Sequence, residues 1–167
     1  NIANFAVKFS EEVANKECLT VDDISLNFNQ FSVLVTSYAK KLKKLNLKKG
    51  DRVGILLFNS IEYLLLMYAS MYAGFVPVNI NARYKAKELN YVLHDSKCKI
   101  LFTSSQSDEV TNFSEIISSV YDSTEGQPEE LIDVYIIGGS KDNRFRDFKE
   151  FESCLLYTSD AADDQAS

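Results

Sequence analysis

Three cysteines, one histidine and a block of lysines are the side chains from which this sequence could assemble chemistry. Cys18, Cys98 and Cys154 show no CxxC or other metal-ligand spacing. A thiol or serine nucleophile needs a base beside it, and His94 is the only histidine. One imidazole cannot build a histidine-based metal cluster either. The cysteines therefore read as free thiols in a reducing cytoplasm. His94 reads as a capping or surface residue near a helix end.

The block "KKLKKLNLKK" (40–49) is the only concentrated positive stretch. Its lysines flank Leu42, Leu45 and Leu47, the pattern of the solvated side of an amphipathic helix. The alternative is contact with a membrane surface or an anionic ligand. A net charge of −6 argues against nucleic acid as a partner, because that would call for a basic face.

A chain of 167 residues with 46% hydrophobic content can bury a sizeable single core. No apolar run is long enough to cross a bilayer; "IEYLLLMYASMYAGFV" comes nearest, but Glu62 interrupts it and Gly74 and Pro77 bound it. Lys8, Glu11 and Glu12 stand where a signal peptide would need its apolar core. The sequence opens on Asn1 rather than Met, so a few preceding residues are expected to be missing. The expected location is cytoplasmic.

The elements that must position any site follow from periodicity. Ile2, Phe5, Phe9 and Val13 recur at helical spacing and predict an opening helix. "CLTVDDISLNF" predicts a hairpin turning at Asp22-Asp23. Val35, Tyr38, Leu42 and Leu45 predict a helix over about 32–46, ended by Gly50. From there strands and helices alternate. Apolar runs at 52–57, 76–79, 99–103 and 131–139 predict strands. Between them lie a helix capped by Asn59 or Ser60 and closed by Gly74, one near 85–95, and one carrying Val110, Phe113, Ile117 and Val120 with Ser107 or Asp108 as cap. Residues 123–130 form a polar loop, and "FRDFKEF" (145–151) is a further amphipathic segment. This alternation predicts an α/β, doubly wound, mostly parallel sheet flanked by helices.

Three anchors in register narrow the reading further. They are Gly50-Asp51-Arg52-Val53 followed by Asn59-Ser60-x-Glu62-Tyr63, then Tyr72-Ala73-Gly74-x-Val76-Pro77-Val78-Asn79, and then Arg83 with Glu88-Leu89, Leu93, Asp95-Ser96 and Lys99. In this order and spacing they resemble the amino-terminal part of the AMP-forming adenylate enzymes: acyl-CoA synthetases, luciferases and peptide-synthetase adenylation domains. The resemblance spans about residues 1–153, is clearest over 30–104, and is nearest to stand-alone acyl-CoA ligases. It implies an incomplete sheet, part of the large amino-terminal domain. For the intact protein it implies ATP, Mg²⁺ and CoA, with a small-molecule carboxylic acid as substrate. Here Phe58 and Ile61 stand where the family often has prolines, and Lys85 where a hydroxyl cap is common. Gly54 reads as small where a bulkier side chain would obstruct packing on the sheet.

The resemblance also nominates one binding residue. In CoA-forming relatives the loop after the VPVN-like strand lies towards the entry side of the CoA nucleotide, so Arg83 is the candidate CoA contact, its guanidinium suited to a phosphate. The competing role is a surface or interdomain ion pair. No catalytic residue and no metal ligand is nominated.

In such enzymes the ATP phosphates are held by a loop that begins Y-T-S-G-T-T-G and ends near P-K-G. Tyr157, Thr158 and Ser159 match its start, yet "DAADDQAS" follows. Without glycines, backbone N–H groups cannot close on phosphate oxygens, and Asp160, Asp163 and Asp164 would repel the anion. Residues 154–164 match one translated frame of a common sequencing-library transposon adapter. The expected organisation is therefore 1–153 native and 154–167 adapter-derived and disordered. Without that tail's three aspartates the excess of acids over bases halves. The chain by itself is expected to bind no cofactor and to be inactive. Two alternatives stay open: an adenylating enzyme with another acceptor (a carrier-protein ligase or a luciferase-like oxygenase), and a small non-catalytic α/β binding module. Against the last, no G-x-G-x-x-G follows a predicted strand, and part of a larger sheet should leave strand edges and faces uncovered.

Overall fold

The computed structural model describes residues 2–124 and 126–153. The Tyr157-Thr158-Ser159 motif and the remainder of 154–167 lie outside the described residues, as does Cys154. The chain opens with a 3₁₀ turn at Ile2–Ala6 and a short helix α1 (Glu11–Ala14), where one continuous helix was expected. The reason is which residues get buried. Ala3 and Ala6, three apart, are inside, while Phe5 is 79% exposed. A three-residue repeat suits the 3₁₀ turn. Phe9 leaves the helical path to pack on Phe28, ring centroids 5.7 Å apart.

The expected hairpin is β1 (Glu17–Val21) with β2 (Ile24–Asn27), antiparallel, turning through Asp22 at φ +51°. Helix α2 (Phe28–Leu42) starts four residues before the expected Ser32, because Asn27 caps it. The Asn27 side chain accepts from Gln30 N–H at 2.8 Å, and the Gln30 side chain accepts from Asn27 N–H at 2.9 Å. This reciprocal pair satisfies two otherwise orphaned donors.

Strands β3 (Arg52–Ile55), β4 (Val76–Asn79), β5 (Cys98–Ser104), β6 (Asp133–Ile137) and β7 (Arg146–Asp147) form one sheet in the order β4-β3-β5-β6-β7. Every pairing in it is parallel. The fifth strand arises from the amphipathic segment at 145–151, whose second half is helix α6 (Phe148–Ser153). Helix α3 (Ile61–Ala73) is capped by Ser60, whose Oγ accepts from Tyr63 N–H at 3.1 Å, and it closes at Gly74 with φ +92°. Helix α4 (Ala86–Ser96) ends at Lys97, and α5 (Phe113–Tyr121) begins at Asn112. His94 is exposed in the last turn of α4. Among the described residues, no helix is long and apolar enough to cross a membrane.

Side-chain alternation along the strands divides the interior in two. Val53, Ile55, Ile100, Phe102 and Tyr135 face a core made with α2, α3 and α6. Leu56, Leu101, Val134 and Ile136 face another made with α4 and α5. Helices thus flank both faces of the sheet, as in a doubly wound arrangement, which corrects the expectation of an uncovered face, while edge strand β4 keeps Val76 46% exposed, as expected of an uncovered strand edge. Gly54 sits on the α4–α5 side. A Cβ there would lie 3.0 Å from Leu101 Cδ1 and 3.3 Å from Cys98 Sγ. Its smallness therefore makes room for side chains of the neighbouring strand rather than for a helix.

Candidate functional site: the crevice at the carboxyl ends of the strands

Strand β3 lies between β4 and β5, and the chain leaves β3 through a helix on one face and returns from β4 through a helix on the other. In open α/β sheets such a reversal opens a crevice beyond the carboxyl ends of the strands, the usual place for a ligand. Three loops meet there: 56–60 after β3, 80–85 after β4 and 105–112 after β5.

Arg83 joins all three. Its backbone N–H is held by Asn81 Oδ1 at 2.9 Å, which fixes the direction of the loop. Its Nη1 donates to Asp108 Oδ2 at 2.8 Å and to Thr111 Oγ1 at 3.2 Å, in the loop after β5. Its guanidinium carbon lies 5.8 Å from the ring centroid of Phe58, in the loop after β3. Phe58 is seated in turn on Phe113, centroids 4.7 Å apart. The Arg83 side chain stays 58% exposed.

Asp108 has a different role from the one expected. Instead of capping α5, its Oδ1 accepts from the N–H groups of Val110 (2.9 Å) and Thr111 (2.6 Å), folding the loop back on itself. Those two donors, and then Arg83, hold its carboxyl below the ordinary aspartate range. Asn112 is the residue that caps α5, and Val110, expected on the buried face of that helix, is 62% exposed in the loop. Lys85, the expected weak point of helix entry, makes no side-chain cap; its backbone N–H is met by Glu88 Oε2 at 3.0 Å, while its Nζ donates to Val110 O.

Two open cavities flank the crevice. One, about 510 Å³, runs past Lys85, Asp108, Thr111 and Glu115. The other, about 760 Å³, is bounded by Ser105, Ser118, Gly138, Gly139, Lys141 and Asp142. Carboxylates outnumber cations on both walls, so neither is built for a polyphosphate. Gly138 closes the second cavity tightly, since a Cβ there would meet Ser105 Oγ at 2.3 Å. Among the described residues, no three His, Cys, Asp or Glu side chains converge as a metal ion requires. The arrangement sets a half-exposed cation on an aromatic floor at the mouth of the crevice. Arg83 was the single candidate site residue nominated from the sequence. Its partners Asp108 and Thr111 were not, since only the β4-β3-β5 order brings them within reach.

Comparison with known proteins identifies the family. The mitochondrial medium-chain acyl-CoA ligase ACSF2 of Rattus norvegicus is 37% identical over 92 residues, 54% of this chain and 15% of that protein. The long-chain-fatty-acid–CoA ligase FadD13 of Mycobacterium tuberculosis is 37% identical over 79 residues, 47% of this chain and 16% of that protein. The anthranilate CoA ligase AuaEII, solved with anthranoyl-AMP, superposes with a TM-score of 0.72 at 25% identity, covering 84% of this chain and 25% of its own. The chain thus spans about a sixth of the length of the curated relatives. A profile of the AMP-binding enzymes matches residues 6–159, from the first turn through Ser159 and stopping before Asp160. The chain belongs to the AMP-binding enzyme family.

Proposed function

We propose that the intact protein is an acyl-CoA synthetase: it joins a carboxylic acid to ATP as an acyl-adenylate, releasing pyrophosphate, and passes the acyl group to the thiol of CoA. The observation that carries this reading is the family match over residues 6–159 together with relatives named as acyl-CoA ligases. Two of those names specify medium- and long-chain acids, which favours a fatty acid as substrate. Cys18 and Cys98 as free thiols suit a reducing compartment, and the cytoplasm is the proposed location.

The described residues divide the cofactors unequally. They include no glycine-rich phosphate loop of the Y-T-S-G-T-T-G kind. We therefore assign the adenylation half-reaction to chain beyond Ser153. Arg83 is the residue here that fits CoA: a half-exposed guanidinium at the crevice mouth, whose pairing with Asp108 is open to solvent and therefore weak. A phosphate arriving at Arg83 would compete with Asp108 for the same donor.

The domain reading proposed is 1–153 native and 154–167 adapter-derived. It rests on the adapter match and on the three aspartates that follow Ser159. Sequencing the source locus across the codons for Ser153 and Cys154 tests it. A frame that departs from the adapter and reaches a glycine-rich Y-T-S loop upholds both proposals. A genuine stop after Ser167 ends the enzyme reading. A pyrophosphate-release assay of the 167-residue chain with ATP and fatty acids should show no turnover, while the full-length product should show turnover dependent on acid.

A further inference from the structure

Between Phe28 and Gly50 the chain carries six lysines and no acidic residue, within a protein of net charge −6. The structure shows how this charge is displayed. Val35, Tyr38, Ala39 and Leu42 turn one side of α2 into the core. Lys41 is buried too, with Nζ 5.3 Å from the centroid of the Tyr38 ring. The opposite side carries Val33, which is 59% exposed, and then Lys40, Lys43 and Lys44, all exposed. The last two continue the same face because Lys43 N–H reaches Ala39 O and Lys44 N–H reaches Lys41 O. Lys48 and Lys49 follow on a loop tied down by Gly50 N–H to Gly74 O at 2.9 Å. Among the described residues, Lys40, Lys43, Lys48 and Lys49 take part in no ion pair.

A helix carboxyl terminus calls for far less positive charge than this, since its dipole amounts to about half an elementary charge. We infer that the exposed face of α2, with the loop after it, is a docking surface for an anionic phospholipid membrane. Three features favour that occupant. The charges are all lysines, hydrated points on flexible stems, whereas paired phosphate recognition favours the planar fork of arginine. They lie along an outward helix face about 16 Å long from Val33 to Lys44, the geometry of surface adsorption. Clusters of four to eight lysines on such a helix are drawn to acidic headgroups, with about a fivefold gain in partition for each. The inference stands apart from the activity proposed above.

Vesicle flotation of the whole 167-residue chain tests it. With phosphatidylcholine vesicles containing about 30 mol% phosphatidylserine, the chain should float at low salt and detach at about 0.5 M salt. It should not float with phosphatidylcholine alone. Replacing Lys40, Lys43, Lys44, Lys48 and Lys49 together by Gln should lower partition at least tenfold. The same change at Lys8, Lys16, Lys87, Lys141 and Lys149 should alter it less than twofold, with far-UV circular dichroism confirming equal folding of both variants. Absence of flotation, flotation on the neutral vesicles, or undiminished flotation of the α2 variant would each overturn the inference. Binding to polyglutamate without flotation would also overturn it and assign the face to an acidic protein.

Discussion

Arg83 is held by its own loop on one side and by Asp108 and Thr111 on the other, so its guanidinium is aimed before any ligand arrives. In the full-length enzyme, Arg83→Ala should raise the KM for CoA about tenfold or more, the loss of one charge-assisted hydrogen bond. Pyrophosphate release driven by acid and ATP should stay unchanged. If both half-reactions fall together, the residue supports the crevice and not CoA. Arg83 could be picked out in the sequence because it stands in an ordered string of anchors; its ion pair could not, because Asp108 lies 25 residues away and nothing local marks it. Gly54 shows the same boundary. Its small size was legible, but the atoms that demand it, on Leu101 and Cys98, come from a strand that only topology places alongside.

At the scale of elements, termini decide where sequence reading succeeds. Helix α2 gains its first turn from the Asn27–Gln30 box, so Asn27→Ala should cost about 1 kcal/mol in urea unfolding. That box is a sequence signature, yet the helix was read only from about Ser32, where amphipathic periodicity is plainest, leaving Phe28 and Phe31 of the first turn outside it. The caps of α5 were misplaced for a different reason. Asp108 and Asn112 are both good cap residues; Asp108 is drawn away by the N–H groups of Val110 and Thr111 and by Arg83, which leaves Asn112 to accept from Glu115 N–H. The loop joining β6 to β7 adds a pH response. Arg144, through its side chain and then its backbone N–H, holds the Asp142 carboxyl down at about 2. An unfolded aspartate titrates near 3.9, so this contribution is complete above about pH 4 and is lost as pH falls towards 2. Asp142→Asn should therefore lower stability by up to about 1 kcal/mol at pH 6, a bound set by solvent screening. At pH 2 variant and parent should unfold at the same urea concentration.

For the whole molecule, the doubly wound class was legible because buried parallel strands read as continuous apolar runs and the helices between them do not. The fifth strand was not, since β7 has only two residues and no pattern of its own. What completes this end of the fold is Phe145, Phe148 and Phe151, all buried, the first in the α4–α5 core and the other two in the α2–α3 core. With these three rings all lying before Ser153, a chain ending there should melt within about 2 °C of the 167-residue chain, as scanning calorimetry would show; a larger drop would give the tail a structural role. Strand β5 has a further consequence. It is paired on both edges, buried on both sides, and joined to each core. No partial opening can bring its amides to solvent. In deuterated buffer, the N–H groups from Ile100 to Thr103 should be the last to carry protium, and their rate of loss should report the unfolding of the entire molecule.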